Sequence, residues 1–186
     1  MIMELRKSGL VAVVLCAVSL MVMGVTTSVA GAAAEIQRSL TVPSSALFGV
    51  ITAGYETQVS PGRSVDIAPQ LYLQKVDGQY TAGGVGFGFT YRFYFNGQSI
   101  RGWYVGPVAS LAYVRASSAD ASVNGLGGAA GAVLGWKGVW SGFTLDLRIG
   151  YGVTYNMLTA RSGSFSISQG ELGTIPIGDI SIGYSW

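Results

Sequence analysis

The residues best placed to do chemistry are four charges set inside stretches of strictly alternating side chains: Asp66, Arg92, Asp146 and Arg148. Glu56 joins them as a fifth candidate. Carboxylates and guanidiniums facing one another along extended chain can pair, hold charge in a confined space, or line a path for ions. They do not by themselves make a nucleophile. Histidine is absent from all 186 residues, which removes the commonest general base and metal ligand, and with it Ser-His-Asp triads and His-ligated zinc. The only cysteine, Cys16, sits in an apolar N-terminal stretch, and no serine stands in a recognisable nucleophile setting. The expectation is a non-enzymatic protein with no catalytic residues, no metal and no cofactor.

The elements that must carry these charges are strands. From 143 to 157 every odd position is large and apolar (Phe143, Leu145, Leu147, Ile149, Tyr151, Val153, Tyr155, Met157), and the even positions are Thr144, Asp146, Arg148, Gly150, Gly152, Thr154 and Asn156. Successive side chains of a strand point to opposite faces, so one face is greasy throughout and the other polar or bare. A strand of about fifteen residues far exceeds the usual five or six. Val85, Phe87, Phe89, Tyr91, Phe93 and Phe95 repeat the pattern against Gly84, Gly86, Gly88, Thr90, Arg92 and Tyr94, and Val65, Ile67, Pro69, Leu71 and Leu73 repeat it against Asp66 and its neighbours. Pro69 fits a bulge or an edge. The glycine-rich run from 125 to 136 predicts a wall that gives room to larger inward residues such as Tyr72, Tyr94 or Tyr104. Walls of this kind separate hydrocarbon from a polar interior, as in a transmembrane β-barrel.

The first 34 residues read as a secretory signal peptide: Glu4, Arg6 and Lys7, an uncharged apolar stretch, then Ala32-Ala33-Ala34 as a cleavage site. Residues 35–186 are then one outer-membrane β-barrel domain, without thiol or disulfide. Nine basic residues face eight acidic ones after that segment, so no basic stripe for nucleic acid is expected.

Pro61-Gly62, Asn96-Gly97, Lys137-Gly138 and Asp77-Gly78 mark short connections, and 116–124 and 159–174 mark long ones. Outer-membrane barrels keep short turns on the periplasmic side. Seven strands follow directly: 45–58, 64–74, 80–95, 102–116, 124–136, 140–158 and 176–186. An even count requires an eighth, placed at 36–42 in preference to 164–168. The fold expected is all-β, an eight-stranded antiparallel up-and-down transmembrane β-barrel. Such a ring encloses room for side chains only, so Asp66, Arg92, Asp146 and Arg148 should pair across it as a polar network. Trp103, Trp136 and Trp140 near the short turns suit an interfacial girdle.

The chain ends on Tyr184 and Trp186 at alternate positions, with Asp179 at the polar position. This resembles the C-terminal signal read by the barrel-assembly machinery, with Ser181 where glycine is usual. Together with 102–107 (Gly-Trp-Tyr-Val-Gly-Pro), it makes the chain resemble the small eight-stranded outer-membrane barrels of the OmpA transmembrane-domain and OmpX-like superfamily. The resemblance implies an outer-membrane monomer, with membrane lipids and the assembly machinery as partners. It carries no activity, since the group includes adhesins, narrow pores and lipid-modifying enzymes. Two readings follow: a plugged barrel that meets its surroundings through external loops, or a narrow pore past Arg92, Asp146 and Arg148.

Overall fold

The structure, a computed structural model, describes residues 36–44, 50–76, 80–97, 100–117, 121–162 and 165–186. All lie in the unit Glu35–Trp186. The expected export signal, the Asp77-Gly78 turn and the tips of the two long connections lie outside the described residues.

Every described element is a strand, apart from short turns: β1 (Arg38–Pro43), β2 (Val50–Thr52), β3 (Gly54–Ser60), β4 (Arg63–Val76), β5 (Tyr80–Tyr94), β6 (Gly102–Ser117), β7 (Ala121–Trp140), β8 (Phe143–Ser162) and β9 (Phe165–Ser185). β2 and β3 both pair with β4 and form one path interrupted at Ala53. The break lies beside Pro69, whose carbonyl accepts from Ala53 N at 3.4 Å. Proline has no N–H to give a neighbour, so the ladder is interrupted where it has least to lose.

Neighbours pair antiparallel in chain order, β1 also pairs with β9, and the sheet closes on itself as a ring of eight strand positions. The short N-terminal strand is the eighth member, and 166–168 belongs to β9. The register runs from Arg38 through Thr57, Val65 and Tyr91, then Ala132 and Tyr151, and reaches β9 at Pro176, five residues short of Ser181, the last β9 partner of β1. That stagger is the offset a closed sheet of tilted strands requires.

Alternation sorts the side chains cleanly. Phe143, Leu147, Ile149, Tyr151, Val153 and Tyr155 of β8 are exposed, while Thr144 and Asp146 between them are buried. β5 repeats this, with Val85, Phe87, Phe89 and Phe93 exposed and Thr90, Arg92 and Tyr94 buried. Buried positions face into the ring, so its interior is polar and its outer surface apolar.

Two sequence expectations change. The Lys137-Gly138 turn does not exist, because β7 runs on to Trp140 and the chain reverses at Ser141 and Gly142, with φ of 49° and 90°. Positive φ at both central residues is what a type I′ hairpin turn requires. Gly138 serves packing: a Cβ there would strike the indoles of Trp136 and Trp140, whose ring centroids lie 5.8 Å apart. The long connections at 116–124 and 159–174 also shrink, because β6 and β7 extend to Ser117 and from Ala121, and β8 and β9 to Ser162 and from Phe165. Serine and glycine there mark exposed strand, where cross-strand pairing is set by the partner more than by intrinsic propensity.

Candidate functional site

Near the end of the ring that carries the 61–62, 95–101 and 141–142 connections, the interior is filled in two layers. The outer layer is apolar: Ile100 and Tyr104 are fully buried with Tyr94, and Ile36 packs against them. Ile100 comes from the β5–β6 connection, where no alternation marks it as inward.

Above this layer lies the charged one, organised by Arg92. Its Nη1 meets Glu56 Oε2 at 3.0 Å and Asp146 Oδ2 at 2.7 Å, and its Nη2 meets Asp66 Oδ2 at 2.7 Å. The guanidinium lies over the Tyr104 ring, 4.7 Å from its centroid, where the negative π face favours a cation. Lys137 Nζ donates to Glu56 Oε2 at 2.5 Å. Glu56 Oε1 accepts from Tyr94 Oη at 2.8 Å and from Ser64 Oγ. Tyr104 Oη donates to Asp146 Oδ1 at 2.7 Å. Arg148 stands at the edge of the layer, 3.2 Å from Asp179 and 3.6 Å from Asp66. Asp179 in turn accepts from Ser181 Oγ at 2.6 Å and Ser44 Oγ at 3.2 Å.

The strands explain why these groups meet. Glu56 pairs in register with Asp66, and Lys137 with Asp146, while Asp66 pairs with Thr90 and places Arg92 on the adjoining diagonal. All share the inward phase of their strands, and closure brings the strands face to face. Carboxylates this deep are stable only when paired and hydrogen-bonded. Glu56, with four donors, is the most fully satisfied.

Asp66, Arg92, Asp146 and Arg148 thus lie in one network, with Arg148 at its border. Lys137 and Asp179 are members that sequence reasoning missed. The signal for Lys137 was available, since it continues the inward phase of Gly131 and Gly135, but a Lys-Gly pair reads locally as a turn. Asp179 falls at the polar position of the terminal signal, which masks its inward role. Tyr184 and Trp186 stand beside each other near the chain end, with ring centroids 6.1 Å apart. Among the described residues no group of three or more acidic, cysteine or histidine side chains is placed to hold a metal ion.

Glycine makes the network possible at one point in particular. The Tyr104 ring occupies the space where a Cβ on Gly135 would stand, and Gly86 gives similar room to Tyr72. Gly135→Ala is expected to displace Tyr104 from Asp146 and cost about 1–3 kcal/mol of overpacking. Gly178→Ala, where nothing lies within 4 Å of an added Cβ, serves as the control. The two urea midpoints, compared with the parent's, check the difference.

Beyond the charged layer the inward residues become small (Ala68, Gly88, Ser110, Ala129), and a cavity of about 310 Å³ opens. Its floor includes Asp66, Arg92, Arg148 and Asp179. The chain matches no family model, and no curated protein matches it.

Proposed function

We propose that this protein is an integral outer-membrane β-barrel whose interior is closed by an ion network, and which acts on its surroundings through the long hairpins at the far end. The observation that carries the reading is the outer surface. Exposed Phe87, Phe89, Leu111, Leu134, Ile149, Val153 and Ile182 lie on five different strands of the ring. A water-soluble monomer rarely exposes a contiguous apolar area above a few hundred Å². In a bilayer the same surface is the solvated one, and a closed ring leaves no ladder edge in hydrocarbon where its strands pair.

An aromatic belt supports the same reading. Phe95, Trp103, Trp140, Phe143 and Tyr184 are exposed near the short turns, with Trp140 and Phe143 stacked at 6.3 Å. Such belts mark the level of lipid headgroups. On β6 the outward aromatics Trp103 and Tyr113 stand ten residues apart, and a membrane strand spans about 9–11 residues. A soluble carrier of lipocalin type fits less well, because it keeps its apolar face inward and its charges outside.

The interior favours a closed barrel over an open pore. Arg92, Lys137, Glu56, Asp66 and Asp146 are all nearly inaccessible, and the apolar layer of Ile100, Tyr94 and Tyr104 lies beneath them. The test is conductance of the refolded chain in a planar bilayer, after a heat-modifiable gel shift shows that it has folded. A folded and silent barrel is the expected result. Steady discrete conductance that changes in Arg148→Ala would overturn the closed reading in favour of a narrow pore. Failure of the folded chain to enter the bilayer would remove the membrane reading altogether.

A further inference from the structure

The inward charges do not balance. Among the described residues, the interior holds four carboxylates, Glu56, Asp66, Asp146 and Asp179, against three cations, Arg92, Lys137 and Arg148. The surplus negative charge has a definite place. Asp66 Oδ2 is taken by Arg92 and approached by Arg148, whereas Asp66 Oδ1 is buried with no hydrogen-bond partner in the protein. Thr52 Oγ1 is likewise buried without a partner. Both residues line the cavity, and they are 4% and 5% exposed.

The wall between them is bare by sequence. Gly54 stands opposite Thr41 in the ladder, and a Cβ on it would lie 2.7 Å from Thr41 Oγ1 and 3.3 Å from Asp66 Oδ1. With glycine there, the carboxylate oxygen and the Thr41 hydroxyl converge on space that any other residue would fill. A buried carboxylate oxygen without a donor is costly. One carboxylate oxygen with hydroxyls beside it suits a singly charged ion. A calcium ion needs six to eight oxygens and usually several carboxylates, and this corner offers one.

We infer that the cavity holds a monovalent cation, an alkali ion or an ammonium group, against Asp66 Oδ1 and the hydroxyls of Thr41 and Thr52. The occupant brings the interior to neutrality. Arg92 Nε and Arg148 Nε, which also lack protein acceptors and line the same cavity, donate to water oxygens in the ion's remaining hydration shell. The inference concerns the inside of the ring and does not depend on which solvent surrounds the outside.

The test is the thermal midpoint of the refolded full chain at fixed ionic strength in sodium, potassium, ammonium and N-methylglucamine chlorides. The last cation, the bulkiest of the four, is the reference. At ten times the dissociation constant, the fitting ion should raise the midpoint by about 3 °C over N-methylglucamine. A rise with ammonium alone assigns an amine, and a rise with sodium or potassium assigns an alkali ion. Asp66→Asn should abolish the difference between salts. Should that variant fail to fold, Thr41→Val leaves every charge in place and should diminish the rise. Equal midpoints in all four chlorides overturn the inference. So does a rise that follows the anion when sulfate replaces chloride with N-methylglucamine held constant, because the arginines would then be the binding groups.

Discussion

Arg92→Met should produce the largest loss of stability of any single substitution in this chain. The guanidinium is the one group in contact with Glu56, Asp66 and Asp146 together, and its side chain is only 2% exposed. Without it, Asp146 keeps the Tyr104 hydroxyl as its hydrogen-bond donor among the contacts described, and Asp66 keeps Arg148 at 3.6 Å. Breaking a buried pair by removing one partner costs about 3–5 kcal/mol, because the stranded charge stays buried. A typical domain has about 5–15 kcal/mol in all. The variant should therefore refold in low yield and unfold at clearly lower urea. Adding Asp146→Asn should recover part of the loss, since it neutralises a stranded carboxylate and leaves an oxygen for Tyr104. The heat-modifiable fraction and the urea midpoints of the parent, the single and the double variant check this. An Arg92→Met protein as stable as the parent would mean that water reaches the network freely, and the closed interior would have to be given up.

That network is partly legible in the amino-acid sequence alone. Period-two alternation is a direct consequence of strand geometry, so the inward phase of Asp66, Arg92, Asp146 and Arg148 could be read residue by residue. The evenness of a closed up-and-down ring then required the short strand that is β1. Failures came where a local signal competed with the period. Lys137-Gly138 looks like a turn, yet Gly138 is small because two indoles meet over it, and Lys137 is inward because the alternation never stopped. The hairpin extensions at 159–162 and 165–174 resemble loop because serine and glycine weaken strand propensity, whereas long-range pairing decides the matter. Ile100 lay beyond reach for another reason. A connection residue folded under the ring obeys no period, and only closure creates the space it fills.

Glycine is the residue whose role the sequence underdetermined most. An inward glycine could have meant an open channel, room for a neighbour's side chain, or close approach of two strands. The second and third are both seen among the described residues. Gly135 accommodates Tyr104, and Gly106 and Gly183 sit where an added Cβ would strike the backbone of the adjoining strand. Close contacts of that kind accompany the bends that a small ring demands of its strands. The distinction matters for function, because glycines spent on curvature or on seating a tyrosine do not widen a path for solutes.

Ile149→Arg is the substitution that separates a membrane wall from a soluble one. Ile149 is 68% exposed and lies midway between Phe143 and Tyr155 on the outward face of β8. If water surrounded this face, an arginine there would fall among surface changes worth about 0.5 kcal/mol or less. If hydrocarbon surrounds it, a cation at mid-depth costs about 2–4 kcal/mol, and the cost falls to about 0–1 near the interface. Leu172→Arg supplies the comparison: Leu172 is even more exposed, at 75%, but lies on the part of β9 that extends beyond β1, toward the far end. The expected result is a graded one, with the folded, vesicle-bound fraction sharply reduced in Ile149→Arg and nearly unchanged in Leu172→Arg. Equal tolerance of both would place the apolar face in water and sink the transmembrane reading. The same pair of variants in detergent micelles separates insertion from folding, since a micelle adapts to a charge that a bilayer of fixed thickness does not. A defect confined to vesicles locates the cost in the lipid, and with it the boundary between the wall that spans the membrane and the hairpins that stand outside it.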